Sequence, residues 1–440
     1  MKCLAIDIGS SSIKGAVLDT AVRGVSHITS RPFPARLPGL PVGHFEVDPR
    51  AIETTARDVL AALATLAPDA ERLYVAGQMG GLLLQSDDAE PLTNYLSWRD
   101  LRIQANDSQG AGFLPRLRER LGEAIFQSLG RELQAGSTLT LAHWLRENNA
   151  LPNRATPVTV SDYVISRLCR TPGHMHVTHA IGLLDLRTVD WHREAFSLLG
   201  VDQLNWPRLV RTLEPVGEYH IGDRTLAVYG AYGDQQCALF GAGLQRGELS
   251  INISTGSQVS RRSEQLVAGD VQTRAYFEGD LLQTITHLPA GRSLNVLVQL
   301  LTELSREEGT EVRDPWSAIS SLAESAAQAS TDEAAELAVD LSFFAGPFGS
   351  TGGIAGVTTE NLTVGPLFLA AFRSMAANYA RCAERIDPTA SASRIVLSGS
   401  MAKSLPTLRR LIQQQFSAPF RDGAYDEETL LGLLKIASQE

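Results

Sequence analysis

Two polar turns, one in each half of the chain, constrain the fold more than any other feature of the sequence. In the first half, residues 2–7 predict a buried strand, Gly9-Ser10-Ser11-Ser12 has the composition of a turn, and residues 13–18 predict a returning strand. In the second half, residues 249–254 predict a strand that ends at Thr255-Gly256-Ser257. Each half therefore repeats the order strand, glycine and hydroxyl turn, strand, which predicts a duplicated α/β fold.

An acid lies near each turn. Asp7 ends the first predicted strand, and Asp234, which we place at the turn of a further hairpin, follows Gly233 and precedes Thr255 by 21 residues. Backbone N–H groups and hydroxyls at such turns can bind phosphate oxygens, and Lys14 adds a positive charge beside the first turn. An ordinary polar hairpin is the alternative interpretation. An enzyme that holds a hydroxyl substrate against a polyphosphate needs an acid and a turn of this kind.

Length and composition limit the class of protein. The 440 residues predict two or three domains, and we divide the chain into domains 1–220 and 221–440 because residues 210–222 combine proline, glycine and charge. The net charge of −10 argues against nucleic acid as a partner, and no apolar run approaches the ~20 residues of a membrane span. The four cysteines are far apart in the sequence, which fits a reducing compartment. Asp7 lies too near the first residue for a signal peptide, so we expect a cytoplasmic protein.

Three further motifs are typical of ligand sites. Gln78-Met79-Gly80-Gly81 is a loop after a predicted strand, and its glycines let backbone approach a ligand, although a plain βαβ turn is the alternative. Trp98-Arg99-Asp100-Leu101-Arg102 combines an aromatic ring, an acid and two arginines, as a sugar site does, although a surface ion pair is the alternative. The predicted strand 394–397 opens onto a small-residue turn at residues 398–404, and a predicted helix follows, which suits part of a nucleotide. Four histidines between residues 174 and 192 lack the spacing of a metal site and are interpreted as core or solvated histidines.

In this order the motifs resemble those of the FGGY family of carbohydrate kinases. The matching features are Asp7-Ile8-Gly9-Ser10-Ser11-Ser12, Gly77-Gln78-Met79, Trp98-x-Asp100-x-Arg102, Gly233-Asp234-Gln235-Gln236 with Thr255-Gly256-Ser257, and Ala402-Lys403-Ser404. Gly-Asp-Gln-Gln followed by the Thr-Gly turn is the most specific of them, and the set spans residues 7–404.

The resemblance implies a fold, an activity and a set of site residues. The fold is α/β, with two ribonuclease-H-like (actin-like ATPase) domains and a cleft between them, and the activity is ATP- and Mg²⁺-dependent phosphorylation of a sugar or polyol hydroxyl. By the family roles, Asp234 accepts the proton of the attacking hydroxyl and Asp7 helps to place Mg²⁺. The residues implied to lie toward the sugar are Gln78, Met79, Gly80, Trp98, Asp100, Arg102 and Gln235. Those implied to bind ATP are Gly9, Ser10, Ser11, Lys14, Thr255, Gly256, Gly399, Ser400, Met401 and Ser404.

Departures from the family pattern bear on the substrate. Gly80 stands where xylulokinase-like members carry a histidine, so one sugar contact is missing, and Ser400 and Met401 stand where the family usually has glycines. Residues 251–255 resemble sedoheptulokinase more than glycerol kinase, so we predict a ketose such as sedoheptulose. Xylulose, ribulose and a polyol such as glycerol are the alternatives.

Two other classes of protein stay open at this point. A non-catalytic sugar- or nucleotide-binding regulator can use the same fold; Ser400 and Met401 favour it, and the two retained acids disfavour it. An actin- or chaperone-like ATPase is disfavoured because the sugar-site motifs are present. A small-molecule sugar is the expected partner, nucleic acid and membranes are not expected, and a homodimer is one expected assembly.

Overall fold

A computed structural model of the protein describes residues 1–104, 112–152, 154–329, 337–423 and 426–439. Its strands are β1 (Lys2–Ile8), β2 (Ser12–Asp19), β3 (Gly24–Pro32), β4 (Glu46–Val47), β5 (Arg72–Gly77), β6 (Leu83–Gln85), β7 (Tyr95–Leu96), β8 (Thr156–Val158), β9 (His174–His176), β10 (Leu184–Asp185), β11 (Asp190–Trp191), β12 (Arg208–Val210), β13 (Pro215–Ile221), β14 (Arg224–Gly233), β15 (Glu248–Ile253), β16 (Ser257–Ser263), β17 (Gln272–Ala275), β18 (Leu281–Leu288), β19 (Ala338–Asp340), β20 (Gly353–Ala355), β21 (Arg394–Ser398) and β22 (Phe420–Asp422). The α-helices are α1 (Pro49–Leu66), α2 (Phe113–Ser128), α3 (Thr138–Glu147), α4 (Val160–Cys169), α5 (Arg193–Leu199), α6 (Asp234–Gly241), α7 (Gly291–Glu307), α8 (Pro315–Ala329), α9 (Val364–Ile386), α10 (Ser400–Ser404), α11 (Pro406–Gln413) and α12 (Glu428–Ala437).

The chain divides into two compact units. The first unit consists of Met1–Gly241, Ser263–Leu282 and Glu427–Glu440, and the second consists of Ala242–Arg262 and Gln283–Asp426. The predicted boundary between residues 220 and 221 falls inside β13, which pairs with β14 in the sheet of the first unit, so the compact units divide the chain elsewhere.

The first unit is built on a six-stranded sheet in the order β13-β14-β5-β1-β2-β3. Strands β1 and β2 form the predicted antiparallel hairpin, and β5 runs parallel to both β1 and β14. Helix α1 covers this sheet so closely that a Cβ atom at Gly15 would lie 2.6 Å from the side chains of Val59 and Leu63. Burial of this apolar face against the sheet stabilises the unit, and the parallel strands bring their carboxyl ends to one edge.

The second unit repeats the arrangement of the first. In its sheet, β18, β16, β15, β21 and β22 are neighbours in this order, β15 and β16 form the second predicted hairpin, and β21 runs parallel to β15. In both units an antiparallel hairpin therefore lies next to a parallel strand. The prediction of a duplicated α/β fold is confirmed.

Asp234 does not lie at the turn of a hairpin, and this part of the prediction is wrong. It is the first residue of α6, which begins directly after β14. The small residues that follow serve close helix packing: a Cβ atom at Gly241 would lie 2.2 Å from the Glu428 carbonyl, and one at Gly432 would lie 2.0 Å from the Cys237 carbonyl. Helices α6 and α12 thus touch backbone to backbone, and this contact fixes the helix that Asp234 begins.

None of the four cysteines, all of which lie in the described residues, forms a disulfide. Among the helices described, none is long and apolar enough to cross a lipid bilayer.

Candidate active site

The ends of three neighbouring strands bring the two predicted acids to one edge of the first sheet. The strand register places Gly77, at the end of β5, opposite Ile8 of β1 on one side and opposite Gly233 of β14 on the other. Asp7 precedes Ile8, and Asp234 follows Gly233. Because parallel strands carry ligand sites at their carboxyl ends, this edge is the natural place for polar side chains that act together.

The two acids share an environment that disfavours their charge. Burial and, less strongly, the negative charge of Asp234 raise the pKa of Asp7 to about 7, although Lys14 partly offsets both effects. Burial also raises the pKa of Asp234 to about 6, and the N–H of Gln235, 2.7 Å from its Oδ1, and the Arg274 guanidinium oppose this rise. The Oδ1 of Asp7 is buried and has no hydrogen-bond partner among the described residues. A buried carboxylate oxygen that lacks a partner and faces another acid suits a bound cation.

Lys14 already has a partner within the protein. Its Nζ donates to both carboxylate oxygens of Glu427, at 2.9 and 3.0 Å, and the Thr429 side chain hydrogen-bonds with Asp7. Glu427 and Thr429 lie at the start of α12, more than 400 residues after Lys14, and the sequence analysis missed both. No local pattern could have found them, because only the packing of α12 brings them to the first hairpin.

Two residues predicted to contact the sugar are buried within an ion pair. Asp100 is fully buried, and Arg102 donates to it through Nε (2.9 Å) and Nη2 (2.8 Å) while Nη2 also donates to Glu46 (2.7 Å). The Phe45 backbone N–H donates to Asp100 as well, at 2.7 Å. These charges are therefore satisfied inside the protein, and they fix the loop that carries Trp98.

The other residues of the sugar motifs differ in exposure. Met79 and Trp98 are partly exposed, whereas Gly80 is buried, with a positive φ of 74° and Trp98 close to where its Cβ would be. Gln78 is 3% exposed, its backbone N–H donates to the Ile8 carbonyl at 3.0 Å, and its side chain lies 3.4 Å from the Gly9 carbonyl. Gln78 therefore ties the β5 loop to the first hairpin turn.

Gln235 belongs to a buried polar chain that the sequence analysis did not predict. Arg274 of β17 is 7% exposed and donates to the Gln235 Oε1 and to the Glu132 carboxylate, and Gln272 donates to the same carboxylate at 2.9 Å. The available signal was an arginine directly before the apolar residues 275–277, because a buried guanidinium requires a carboxylate partner. This chain fixes the Gln235 side chain next to Asp234.

In the second unit, the hairpin turn and the small-residue turn line one cavity. The turn between β15 and β16 exposes Thr255 and Gly256, and its backbone is held by the N–H of Arg292, which donates to the Thr255 carbonyl at 2.8 Å. A cavity of about 850 Å³ is lined by Ser254, Thr255, Gly291, Asn295, Asp314, Trp316, Ser317, Ser320, Ser321, Glu324, Ser400, Met401, Ser404, Leu405, Pro406, Thr407 and Arg410. Its volume lies in the range of small-ligand pockets.

Gly399 and Met401 shape this cavity. Gly399 has a φ of 89°, and a Cβ atom there would lie 2.3 Å from the Ile253 carbonyl, so only glycine fits at this position. The sulfur of Met401 lies 2.7 Å from the position that a Cβ atom of residue 291 would occupy. The predicted nucleotide residues Thr255, Ser400, Met401 and Ser404 thus line a common cavity.

The sequence matches a known family over most of the first unit. The model for the FGGY family of carbohydrate kinases, N-terminal domain, matches residues 2–241, and this range ends where the first continuous segment of the first unit ends. Xylulose kinase of Bacillus subtilis (strain 168) is 25% identical over 278 residues, which cover 60% of this chain and 54% of that protein. Glycerol kinase of Polaromonas naphthalenivorans (strain CJ2) is 28% identical over 304 residues, which cover 62% and 59%. The alignments therefore span less than two thirds of these curated relatives.

Solved structures resemble the whole chain. A ligand-bound xylulose kinase from Lactobacillus acidophilus has a TM-score of 0.80 at 17% identity, and the match covers 100% of this chain and 89% of that one. Plasmodium falciparum glycerol kinase with ADP has a TM-score of 0.81 at 17% identity, covering 99% and 88%. These similarities confirm the predicted fold of two ribonuclease-H-like domains. Because the family model covers more than half of the 440 residues, the chain belongs to the FGGY family of carbohydrate kinases.

Proposed function

We propose that this protein is a kinase that transfers the γ-phosphoryl group of ATP to a hydroxyl of a small sugar or polyol. The observation that carries the proposal is the pair Asp7 and Asp234 at the ends of β1 and β14, the two strands that flank β5, with one buried oxygen of Asp7 left without a partner among the described residues. Family membership supports the same reaction, since relatives are named xylulose kinase and glycerol kinase.

Asp234 acts as the general base in this proposal. The acceptor oxygen attacks the γ-phosphorus, the bond from that phosphorus to the β,γ-bridging oxygen breaks, ADP leaves, and the hydroxyl proton passes to the Asp234 carboxylate. A pKa of about 6 leaves Asp234 ionised at neutral pH while keeping it a stronger base than an exposed aspartate. Its position at the start of α6 is fixed by the helix contact with α12.

Asp7 is the residue that fits Mg²⁺. Its partnerless Oδ1 offers a hard oxygen ligand, and no group of three or more His, Cys, Asp or Glu side chains converges within the described ranges. Mg²⁺ in kinases uses one or two carboxylates together with water and phosphate oxygens, so a single aspartate suffices. When bound, the ion would neutralise charge on the phosphates.

Each unit by itself offers residues that suit part of ATP. The first turn offers Gly9, Ser10 and Ser11, and Lys14 can exchange Glu427 for a phosphate oxygen. The second turn offers the exposed Thr255 and Gly256, whose N–H and hydroxyl groups suit phosphate. Gly399 with Ser400, Met401 and Ser404 would contact the adenosine, and the cavity of about 850 Å³ has room for it.

We further propose a ketose as the acceptor, with sedoheptulose first and xylulose, ribulose and glycerol as the alternatives. Met79 and Trp98 would face the sugar, and the Gln235 amide, oriented by Arg274, would bind one hydroxyl. Gly80 provides no side-chain donor where a histidine would, so this site depends on fewer polar contacts. Because two relatives are named xylulose kinase and glycerol kinase, xylulose and glycerol should be tested beside sedoheptulose.

The test is ADP release from Mg-ATP across a panel of sedoheptulose, xylulose, ribulose and glycerol. Asp234→Asn is expected to lower kcat about 10²- to 10⁴-fold, the usual contribution of a general base, without unfolding the protein. Asp190→Asn, which changes an exposed acid of the same unit, is the matched control and should keep wild-type turnover. Unchanged turnover in Asp234→Asn would contradict the assignment of the base.

A non-catalytic sugar- or nucleotide-binding protein is the second candidate, because Ser400 and Met401, which line the cavity, stand where the family usually has glycines. Binding of ATP with no ADP release for any sugar would support that candidate. We also propose a cytoplasmic location and a homodimer. Light scattering of the purified protein tests the homodimer.

A further inference from the structure

The turn that follows β9 contacts the chain on both sides of Asp234. Thr178 and His179 are fully buried, and neither has a role in the reaction as proposed so far. The Gly233 N–H donates to the Thr178 Oγ1 at 3.0 Å, and the Gln236 side-chain amide donates to the Thr178 carbonyl at 3.2 Å. Thr178 therefore holds the residue before Asp234 and the residue two positions after it.

His179 extends this contact by one residue. Its Nε2 lies 3.0 Å from the Tyr232 carbonyl, and since a carbonyl only accepts, Nε2 carries the proton and donates. Burial lowers the pKa of His179 to about 4, so the ring is neutral at physiological pH. The two adjacent residues thus bind Tyr232, Gly233 and Gln236, and we call this pair the Thr178–His179 clamp.

His176 fixes the rotamer of Thr178. The Thr178 hydroxyl lies 2.8 Å from the Nδ1 of His176, and the Thr178 backbone N–H points at the same nitrogen at 3.3 Å. Burial lowers the pKa of His176 to about 3, so the ring is neutral and its Nδ1 accepts both contacts. The Thr178 hydroxyl donates its hydrogen bond to His176, so a lone pair of its oxygen can accept from the Gly233 N–H.

We propose that Thr178 and His179 are positioning residues for Asp234, an inference that rests on the proposed role of Asp234 as the base. The reason is geometric: the backbone at Tyr232 and Gly233 and the side chain of Gln236 are each hydrogen-bonded to one buried turn, so the segment that carries Asp234 is held on both sides. A displacement of about 1 Å at a reacting group can cost about 100-fold in rate.

The test compares two substitutions at Thr178. Thr178→Val removes the hydroxyl and keeps the shape, and it should lower kcat about 10- to 100-fold while the KM values for ATP and sugar change less than about twofold. Thr178→Ser keeps the hydroxyl and should recover most of kcat. Thr140→Val is the matched control, because Thr140 is fully buried in α3 of the same unit and its hydroxyl has no partner among the described residues.

A second readout requires no substrate. Hydrogen exchange at the Gly233 amide should be faster in Thr178→Val than in wild type, because its acceptor is gone, and Thr178→Ser should restore the slow rate. If Thr178→Val does not fold, Gln236→Met removes the hydrogen bond from the Gln236 side chain to the Thr178 carbonyl while Thr178 stays in place. The same loss of kcat is then expected.

The outcomes separate the clamp from the proposed function. Wild-type kcat and unchanged exchange in Thr178→Val would overturn the clamp, even if Asp234→Asn is inactive and the kinase assignment stands. If wild type phosphorylates no sugar, the proposed function fails, and the exchange experiment still decides whether Thr178 holds the backbone at Gly233. A loss of kcat that Thr178→Ser does not restore would show a packing defect and would also overturn the proposal.

Discussion

Asp162 should make the stability of the first unit depend on pH in the direction opposite to that of most aspartates. It is the third residue of α4 and forms a capping box with Thr159, whose hydroxyl donates to its Oδ2 at 2.7 Å. Asp162 is fully buried, and its Oδ1 has no partner among the described residues. Burial therefore raises the pKa of Asp162 to about 7, against the opposing hydrogen bonds from Thr159.

The size of the effect follows from proton linkage. The pKa in the folded state, about 7, exceeds the ordinary value of 3.8, so between these values the unfolded chain has lost a proton that the folded chain keeps. The stabilisation by Asp162 is complete below the ordinary value and is lost as the pH rises through about 7. With a slope of about 1.4 kcal/mol per pH unit, the folded unit loses about 2 kcal/mol between pH 5 and pH 7 from this group.

Asp162→Asn removes the titration and keeps the side-chain shape. The free energy of unfolding of the variant relative to wild type should therefore rise by about 2 kcal/mol from pH 5 to pH 7. Denaturant unfolding followed by tryptophan fluorescence reports mainly on the first unit, which contains Trp98, Trp144, Trp191 and Trp206. Asp185→Asn is the control: Arg187 lowers the pKa of Asp185, so its effect should be flat above pH 5. A constant difference between Asp162→Asn and wild type would refute the reasoning.

Four further substitutions test the contacts around the site. Gly432→Ala should destabilise the first unit by about 1–3 kcal/mol in denaturant unfolding, because its Cβ would lie 2.0 Å from the Cys237 carbonyl. Gly399→Ala should abolish ATP binding in calorimetry, because its Cβ would meet the Ile253 carbonyl at 2.3 Å and its φ is 89°. Glu427→Gln frees Lys14 from an ion pair that is partly exposed and worth at most about 1 kcal/mol, so the KM for ATP should change less than about fivefold. Lys14→Met should raise that KM about tenfold or more, and equal effects of these last two changes would contradict the assignment of Lys14.

The sequence predicts those parts of the fold that local chemistry decides. Helix α1 begins at Pro49 because Asp48 caps it, with its side chain accepting from the Arg50 N–H, and because Pro49 suits the first turn of a helix. Both hairpins are predicted because glycine and hydroxyl turns separate short apolar runs, and β1 with β2 and β15 with β16 confirm them. Polar turn chemistry and helix caps act over a few residues, so they can be identified without a structure.

The parts that the sequence does not predict depend on contacts between distant segments. Asp234 is assigned to a hairpin turn because it follows Gly233, yet it begins α6, and the position of that helix depends on its packing against α12. The carboxylate of Glu427 beside Lys14 and the hydroxyl of Thr178 beside Gly233 come from segments 413 and 55 residues away, respectively. No periodicity within a short window encodes such a pair.

The predicted site residues therefore differ in how much free energy of binding each can contribute to a ligand. Asp100 and Arg102 have saturated, buried partners, so a sugar would have to break an internal ion pair to reach them. In the proposed function, Lys14 would exchange one carboxylate for one phosphate, and its net gain would be the difference between two similar interactions. The Asp7 Oδ1 has no partner to give up among the described residues, and Thr255 is exposed at its turn. Binding energy should therefore concentrate at Asp7 and the second turn, and substitutions there should cost more nucleotide affinity than any change at Asp100 that leaves the fold intact.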